Sequence, residues 1–126
     1  MAFTGIKFSQ DHEWIKEDNG KVYIGISDFA QHSLGDIVFV DLPVAGFALK
    51  KGDVLAGVES VKAVSDVFAP VACTVVAANE ELNDSPELLN SSPYEAWIAV
   101  IQLADEADVS GLMDEAAYAD FCAQQG

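Results

Sequence analysis

The sequence predicts a mainly β protein, a compact sandwich or flattened barrel of short strands closed by a C-terminal helical segment. Most of the predicted elements are short runs rich in β-branched and aromatic residues, several of them bounded by glycine, proline or asparagine. Of the 126 residues 51% are hydrophobic, which is enough to build a core. No apolar run reaches the ~18 residues that a membrane-spanning helix needs. The length fits one domain over residues 1–126.

The first predicted strand is followed directly by a short helix. Lys21–Ile26 is predicted as a strand and follows the turn signal Asp18-Asn19-Gly20. Ser27 has the hydroxyl that caps helix N-termini, so we expect a helix over Asp28–Leu34. Gly35 is a typical residue for the end of that helix.

Five further strands are predicted along the rest of the chain. Residues 37–42 are rich in β-branched and aromatic side chains, and Pro43 ends the run because proline cannot donate to a sheet. The same reasoning predicts strands at residues 53–59, 64–68, 74–78 and 97–101.

Short helices are predicted in the last third of the chain. Ser85, Pro86 and Glu87 give a capping hydroxyl, a proline at the first helical position and an acid near the positive end of the helix dipole. The tail from Glu106 predicts one or two amphipathic helices with a break near Asp114. Its apolar positions are Val109, Leu112, Met113, Ala116, Ala117, Tyr118 and Phe121.

The charge of the chain excludes several classes of function. Six lysines face 21 acidic residues, there is no arginine, and the net charge is −15. Such a surface repels the phosphate backbone, so we expect no nucleic-acid binding. It serves solubility or docking onto partners with basic patches. Lys62 is the last basic residue of the chain, and its position in an acidic protein makes its chemistry a question.

The cysteines, the histidines and the first residues of the chain predict reduced thiols, no metal site and a location inside the cell. Cys73 and Cys122 are too few and too far apart for a disulfide scaffold or a metal site, and we expect reduced structural thiols. His12 and His32 lack a second histidine at metal-ligand spacing. The first residues lack the pattern of a signal peptide, so we expect a cytoplasmic protein, or a mitochondrial-matrix one if a transit peptide has been removed.

Lys62 lies in a segment that predicts a strand, a tight turn and a second strand. Small residues flank it, so its side chain can project from the turn, as a modifying enzyme requires. An exposed turn lysine is, however, most often only solvated surface, and motif matches carry false positives. The local pattern alone leaves both interpretations open.

Eight stretches of the sequence, in fixed order and spacing, resemble the H protein of the glycine cleavage system over nearly the full length. They are residues 12–14 (His-Glu-Trp), 24–31, 34–43, 59–66 (Glu-Ser-Val-Lys-Ala-Val-Ser-Asp), 69–71 (Ala-Pro-Val), Asn79, 85–90 (Ser-Pro-Glu-Leu-Leu-Asn) and 93–94 (Pro-Tyr). The resemblance implies a lipoyl-type domain of the barrel-sandwich hybrid class, with lipoate attached covalently to Lys62 as a swinging arm.

The same resemblance implies a shuttle that has no catalytic residues of its own. It would carry the aminomethyl group from glycine decarboxylase to aminomethyltransferase and then present the dihydrolipoyl arm to dihydrolipoyl dehydrogenase. A lipoate ligase or a lipoyl or octanoyl transferase would load it. The residues proposed to contact the modifying enzyme or the arm are Glu59, Ser60, Val61, Ala63, Asp66 and Glu13.

Glu13 and its neighbours have two interpretations. Glu13 could hold the amine-loaded arm in a cleft, away from water. Alternatively, residues 12–14 simply begin a strand with Trp14 in the core, since large aromatic side chains contribute mainly buried area. We favour packing for Trp14 and leave both open for Glu13.

Related carriers fit less well. Biotin domains have methionines beside the target lysine, whereas Val61 and Ala63 flank Lys62 here. Lipoyl domains of 2-oxo-acid dehydrogenases have an acid directly before the lysine, whereas Glu59 lies three residues before it. Cys73 stands where H proteins usually have glycine, and its side chain could strain a bend or fill a gap.

Other functions remain as alternatives. One is an H-like carrier in another pathway, such as sulfur oxidation or lipoyl relay, and another is an interaction domain that is never modified. An enzyme using Lys62 as a Schiff-base nucleophile is disfavoured, because an acidic protein favours the ammonium form at an exposed turn.

Overall fold

The computed structural model describes residues 5–105 and 107–125, with only the backbone for Gln125, and contains nine strands and four helices in that part of the chain. The strands are β1 (Ile6–Phe8), β2 (Glu13–Asp18), β3 (Lys21–Ile26), β4 (Ile37–Asp41), β5 (Ala48–Leu49), β6 (Val54–Ser60), β7 (Val64–Phe68), β8 (Cys73–Ala78) and β9 (Ala99–Leu103). The helices are α1 (Asp28–Leu34), α2 (Glu81–Asp84), α3 (Leu88–Ser91) and α4 (Glu115–Gln125).

The strands form two antiparallel sheets. The larger has the order β1-β2-β3-β9-β8-β5 and the smaller the order β4-β6-β7. Every neighbouring pair runs antiparallel. Both sheets are open, since each ends in edge strands, so the architecture is nearer to the sandwich than to the closed barrel of the sequence prediction. The mainly β class predicted from the sequence is confirmed.

The two sheets share one hydrophobic core. Ile15 and Ile24 of the larger sheet and Val40 and Val58 of the smaller sheet are at most 1% exposed and belong to the same cluster. Burying an aliphatic side chain of this size stabilises the fold by about 1.5–3 kcal/mol. Because β6 is the central strand of the smaller sheet and leads into residue 61, this packing fixes the base of the β6–β7 hairpin.

The turn between β2 and β3 and both ends of α1 have the predicted chemistry. Asn19 and Gly20 have φ values of 53° and 81°, as a two-residue hairpin turn between right-twisted strands requires. The Oγ of Ser27 accepts a hydrogen bond from the amide of Ala30 at 3.1 Å. Gly35 ends α1 with φ 81°, and its amide donates to the carbonyl of Gln31. These three predictions are confirmed.

Each of the six predicted strands is confirmed, and each of their boundaries lies within two residues of the predicted position. β3 and β7 have the predicted bounds, and β4, β6, β8 and β9 are shifted at one or both ends. β2 begins at Glu13, as the packing interpretation of residues 12–14 expected. β1 and β5 were not predicted, because strands of three and two residues carry no periodic signal.

The predicted capping by Ser85 is wrong. Ser85 follows the end of α2, and α3 begins only at Leu88 with no side-chain cap at Glu87. The amide of Leu88 instead bonds to the carbonyl of Ser85 at 3.1 Å, so a backbone turn replaces the hydroxyl cap.

The C-terminal segment contains one helix among the described residues rather than two. α4 begins after Asp114, whose Oδ1 accepts from the amide of Ala117 at 2.8 Å, so a helix boundary at this residue is confirmed. The predicted helical placement of Val109, Leu112 and Met113 is wrong, because residues 107–114 are not helical. Before α4, Met113 forms an isolated bridge with Phe8 of β1. Glu106, where the sequence placed the start of the tail, lies outside the described residues. In the described part of the chain, no helix has the length and apolar character to cross a membrane.

Trp14 and Cys73 are both core residues. Trp14 is 1% exposed, and its Nε1 donates to the carbonyls of Ile26 at 3.0 Å and Pro93 at 2.9 Å, so the packing interpretation is confirmed. Cys73 is a buried free thiol at the start of β8, and it packs in the shared core of the two sheets. Its backbone is not among the positive-φ positions, so the side chain fills a gap and strains no bend.

Candidate functional site

The turn between β6 and β7 presents Lys62 at the surface. Residues 61–63 connect the two strands, and the amide of Ser60 donates to the carbonyl of Ala63 at 2.8 Å. The Oγ of Ser60 accepts from the amides of Ala63 at 3.0 Å and Lys62 at 3.3 Å. Ser60 thus binds the amides of Lys62 and Ala63 and the carbonyl of Ala63, which holds the short connection in one conformation without a glycine.

The turn is also attached to the segment that follows α1. The amide of Val61 donates to the carbonyl of Asp36 at 3.0 Å. A Cβ placed on Gly35 would lie 3.5 Å from Cε of Lys62, so the lysine stem passes over this glycine. Gly35 has φ 81° and ψ −158°, a conformation almost restricted to glycine. It therefore both ends the helix and leaves a flat surface beneath the lysine.

The amine of Lys62 is accessible. The side chain is exposed, and within residues 5–105 and 107–125 it makes no ion pair with a carboxylate. Its neighbours Val61 and Val64 are 69% and 74% exposed and are too short to cover it. Such an amine suits acylation by a second enzyme, whereas a Schiff-base lysine needs a desolvated pocket.

Two acids lie on one face of the hairpin beside the turn. Glu59 pairs with Val64, and Asp66 pairs with Gly57 two residues further along. Because side chains alternate along a strand, Glu59 and Asp66 are diagonal neighbours on the same face, and both are exposed. The structure therefore brings together the two acids that the sequence predicts for recognition by the modifying enzyme.

Glu13 is placed differently. Its side chain is 2% exposed, and it accepts hydrogen bonds from the Oγ of Ser9 and from the amide of Phe68 at 3.1 Å. Phe68 is at the end of β7 opposite to the lysine turn, so Glu13 makes no contact with Lys62. Burial raises the pKa of Glu13 to about 7, an effect that the two hydrogen bonds only partly offset. A role in holding the arm stays a prediction.

The raised pKa of Glu13 gives an expected pH dependence of stability. A carboxyl whose pKa is raised in the fold binds more protons folded than unfolded, so its contribution to stability is fully present below its ordinary pKa of 4.5 and is lost as the pH rises from there through about 7. We expect the free energy of unfolding of the wild type, relative to Glu13→Gln, to fall by about 2 kcal/mol between pH 5 and pH 8. Urea unfolding at both pH values measures it.

The exposed Glu59 provides the control for this pH effect. Glu59→Gln removes a carboxylate from the surface, where a charge contributes little to stability. The difference in the free energy of unfolding between Glu59→Gln and the wild type should be nearly the same at pH 5 and at pH 8. If the free energy of unfolding of the wild type relative to Glu13→Gln stays constant or rises between pH 5 and pH 8, Glu13 is ionised in the folded protein over this whole range.

The sequence prediction missed one residue behind the turn. Asn90 in α3 binds three groups that lie 53 to 59 positions earlier in the chain, on both sides of Asp36. Asn90 belongs to the family-like stretch 85–90 and begins a short polar run with Ser91 and Ser92, but neither signal identifies such distant partners.

The described residues offer no metal site. No group of three or more histidine, cysteine or acidic side chains is close enough to hold a metal ion in that part of the chain. Cys73 is buried, and burial raises the pKa of its thiol to about 11, which makes it a poor nucleophile.

Comparison with known proteins gives one consistent result. The family described as "Glycine cleavage H-protein" matches residues 6–125. A glycine cleavage system H protein of Coprothermobacter proteolyticus is 52% identical over 123 residues, which cover 95% of this chain and 96% of that protein. One of Alkaliphilus oremlandii is 46% identical over 122 residues, covering 97% and 96%. A crystal structure of the H protein of Mycobacterium marinum superposes with a TM-score of 0.83 at 33% identity, covering 98% of both chains. The chain therefore belongs to the glycine cleavage H-protein family.

Proposed function

We propose that this chain is the lipoyl carrier of a glycine cleavage system and that lipoate is attached to Lys62 through an amide bond. The observation that supports this most directly is an accessible lysine at the tip of an ordered hairpin, in a chain of the H-protein family. The proposal makes the protein a non-catalytic component that enzymes load and unload.

The residues around Lys62 fit such an attachment. Once bound, lipoate would supply the dithiolane that carries electrons and the one-carbon unit. The protein supplies the amine of Lys62, the turn held by Ser60, and the open surface over Gly35 along which the stem extends. Glu59 and Asp66 give the modifying enzyme, a lipoate ligase or a lipoyl or octanoyl transferase, two charges on one face of the hairpin that carries Lys62.

The proposed partners are glycine decarboxylase, aminomethyltransferase and dihydrolipoyl dehydrogenase, in that order. The chain would take the aminomethyl unit from the first enzyme to the second, and the third would restore the disulfide. A net charge of −15 favours docking onto basic surfaces, and tethering then raises the effective concentration of the loaded group at each enzyme. Because this chain has relatives in bacteria, we place this cycle in the cytoplasm.

The test of the proposal is the intact mass of the protein after expression with a lipoylation system and lipoate. We expect a mass increase of one lipoyl amide, localised to Lys62 by peptide analysis and absent in Lys62→Ala. Because the Lys62 side chain is exposed, the variant should fold normally. An unmodified Lys62, in a preparation where a control lipoyl domain is fully modified, would leave the chain an unmodified interaction domain and disprove the carrier role.

A further inference from the structure

The side-chain amide of Asn90 makes three hydrogen bonds within the protein, using both of its donors and one acceptor position of its oxygen. Its Nδ2 donates to Oε1 of Gln31 and to the carbonyl of Gly35, both at 2.9 Å. Its Oδ1 accepts from the amide of Ile37 at 2.8 Å. A half-buried side chain on the short helix α3 thereby joins α1, the residue that ends α1 and the first residue of β4.

The two backbone bonds enclose Asp36. Gly35 and Ile37 are its neighbours on either side, so one amide fixes the path of the chain before and after it. The carbonyl of Asp36 is the acceptor for the amide of Val61, the residue before Lys62. The backbone that anchors the lysine turn is therefore itself held in place by Asn90.

The orientation of the Asn90 amide is set by a chain of directed bonds. Gln31 is 7% exposed, and its Nε2 donates to Oδ1 of Asp28 at 2.8 Å. That bond leaves Oε1 of Gln31 as an acceptor for Nδ2 of Asn90. No other side chain as short as asparagine carries two donors and an acceptor, so aspartate, serine and leucine cannot reproduce the set.

We propose that Asn90 is a positioning residue for Lys62, acting through Asp36 and Val61 on the lysine turn. The connection between Asn90 and the turn stands on the hydrogen bonds alone. Its consequence, correct presentation of the amine to the lipoylating enzyme, rests on the proposed function.

Asn79 provides a matched control. It is also half-buried, its Nδ2 donates to the carbonyl of Trp97 at 2.8 Å, and its Oδ1 accepts from the amide of Glu81 at 3.3 Å. It therefore resembles Asn90 in burial and in the use of its amide but has no bond to the segment that anchors the turn. Asn79→Ala should lower global stability without affecting Lys62.

Two measurements on Asn90→Ala and Asn79→Ala separate positioning from general stability. The first is amide hydrogen exchange at Val61. We expect it to be about tenfold faster in Asn90→Ala, because the part-buried carbonyl of Gly35 and amide of Ile37 lose their partner, and unchanged in Asn79→Ala after correction for global stability. The second is lipoylation kinetics, in which the KM for Asn90→Ala should rise severalfold while kcat stays close to that of the wild type.

The outcomes are distinguishable. Equal exchange at Val61 and equal KM in the two variants would overturn the positioning role. If Asn90→Ala does not fold, Asn90→Asp, which keeps the acceptor for Ile37 and loses both donors, should still accelerate exchange at Val61, and failure to do so would also overturn it. If the wild type is never lipoylated, the proposed function fails while exchange at Val61 still decides the connection between Asn90 and the turn.

Discussion

Replacing Lys62 by arginine is expected to abolish glycine-dependent carbon dioxide exchange with glycine decarboxylase, while the fold stays unchanged. Arginine keeps the positive charge and an aliphatic stem that can pass over Gly35. Its guanidinium stays protonated at all practical pH values, so a lipoylating enzyme finds no amine to acylate. Exchange rates of both proteins, prepared with the lipoylation system, measure the effect.

The control for this prediction is Lys51→Arg. Lys51 is exposed in the turn before β6, away from the β6–β7 turn, and the substitution makes the same chemical change. It should retain wild-type exchange, and both variants should keep the wild-type Tm. A Lys62→Arg protein as active as Lys51→Arg would show that the one-carbon unit is carried elsewhere, and a lipoylated wild type that supports no exchange would favour an H-like carrier of another pathway.

The elements that the sequence predicts correctly depend on neighbours in the chain. The Asn19-Gly20 turn, the Ser27 cap and the Gly35 stop each need only residues within four positions, and all three are confirmed. Ser85 was misassigned because a serine followed by proline and an acid fits a helix start equally well when a backbone turn precedes the helix.

In the candidate site too, features that depend on neighbouring residues were predicted, and features that depend on distant residues were not. The contiguous stretch around Lys62 predicts a lysine on a turn between two strands, and the hairpin confirms this placement, whereas the role of the lysine was inferred from the resemblance over nearly the full length. The role of Asn90 depends on bonds to residues in α1 and β4, which only the tertiary structure brings together. For Glu13 the sequence left a place near the arm and a place in the packed strand both open, because its burial and its bond to Phe68 depend on how the two sheets pack.

Gly25→Ala is expected to be among the most destabilising single-methyl changes in the chain. Gly25 pairs with Trp14 across β2 and β3, and a Cβ on it would lie 2.6 Å from Cζ2 and 2.7 Å from Cε2 of the indole. The ring cannot move aside, since it is buried and its Nε1 bonds to the carbonyls of Ile26 and Pro93. We expect a loss of about 3 kcal/mol in the free energy of unfolding, measured by urea denaturation.

Gly57→Ala separates this steric effect from the general effect of alanine in a strand. Gly57 lies within β6, and a Cβ there meets only Cβ of Asp41 at 3.5 Å, an ordinary contact. Alanine should be neutral or stabilise by up to about 1 kcal/mol at this position, because it loses less backbone entropy on folding than glycine. The double variant Gly25→Ala/Trp14→Leu should lose less free energy of unfolding than the sum of the losses of the two single variants, since the smaller side chain vacates the space that the methyl group needs. Equal stabilities for Gly25→Ala and Gly57→Ala, or no coupling with Trp14, would show that the indole can repack around the added methyl group.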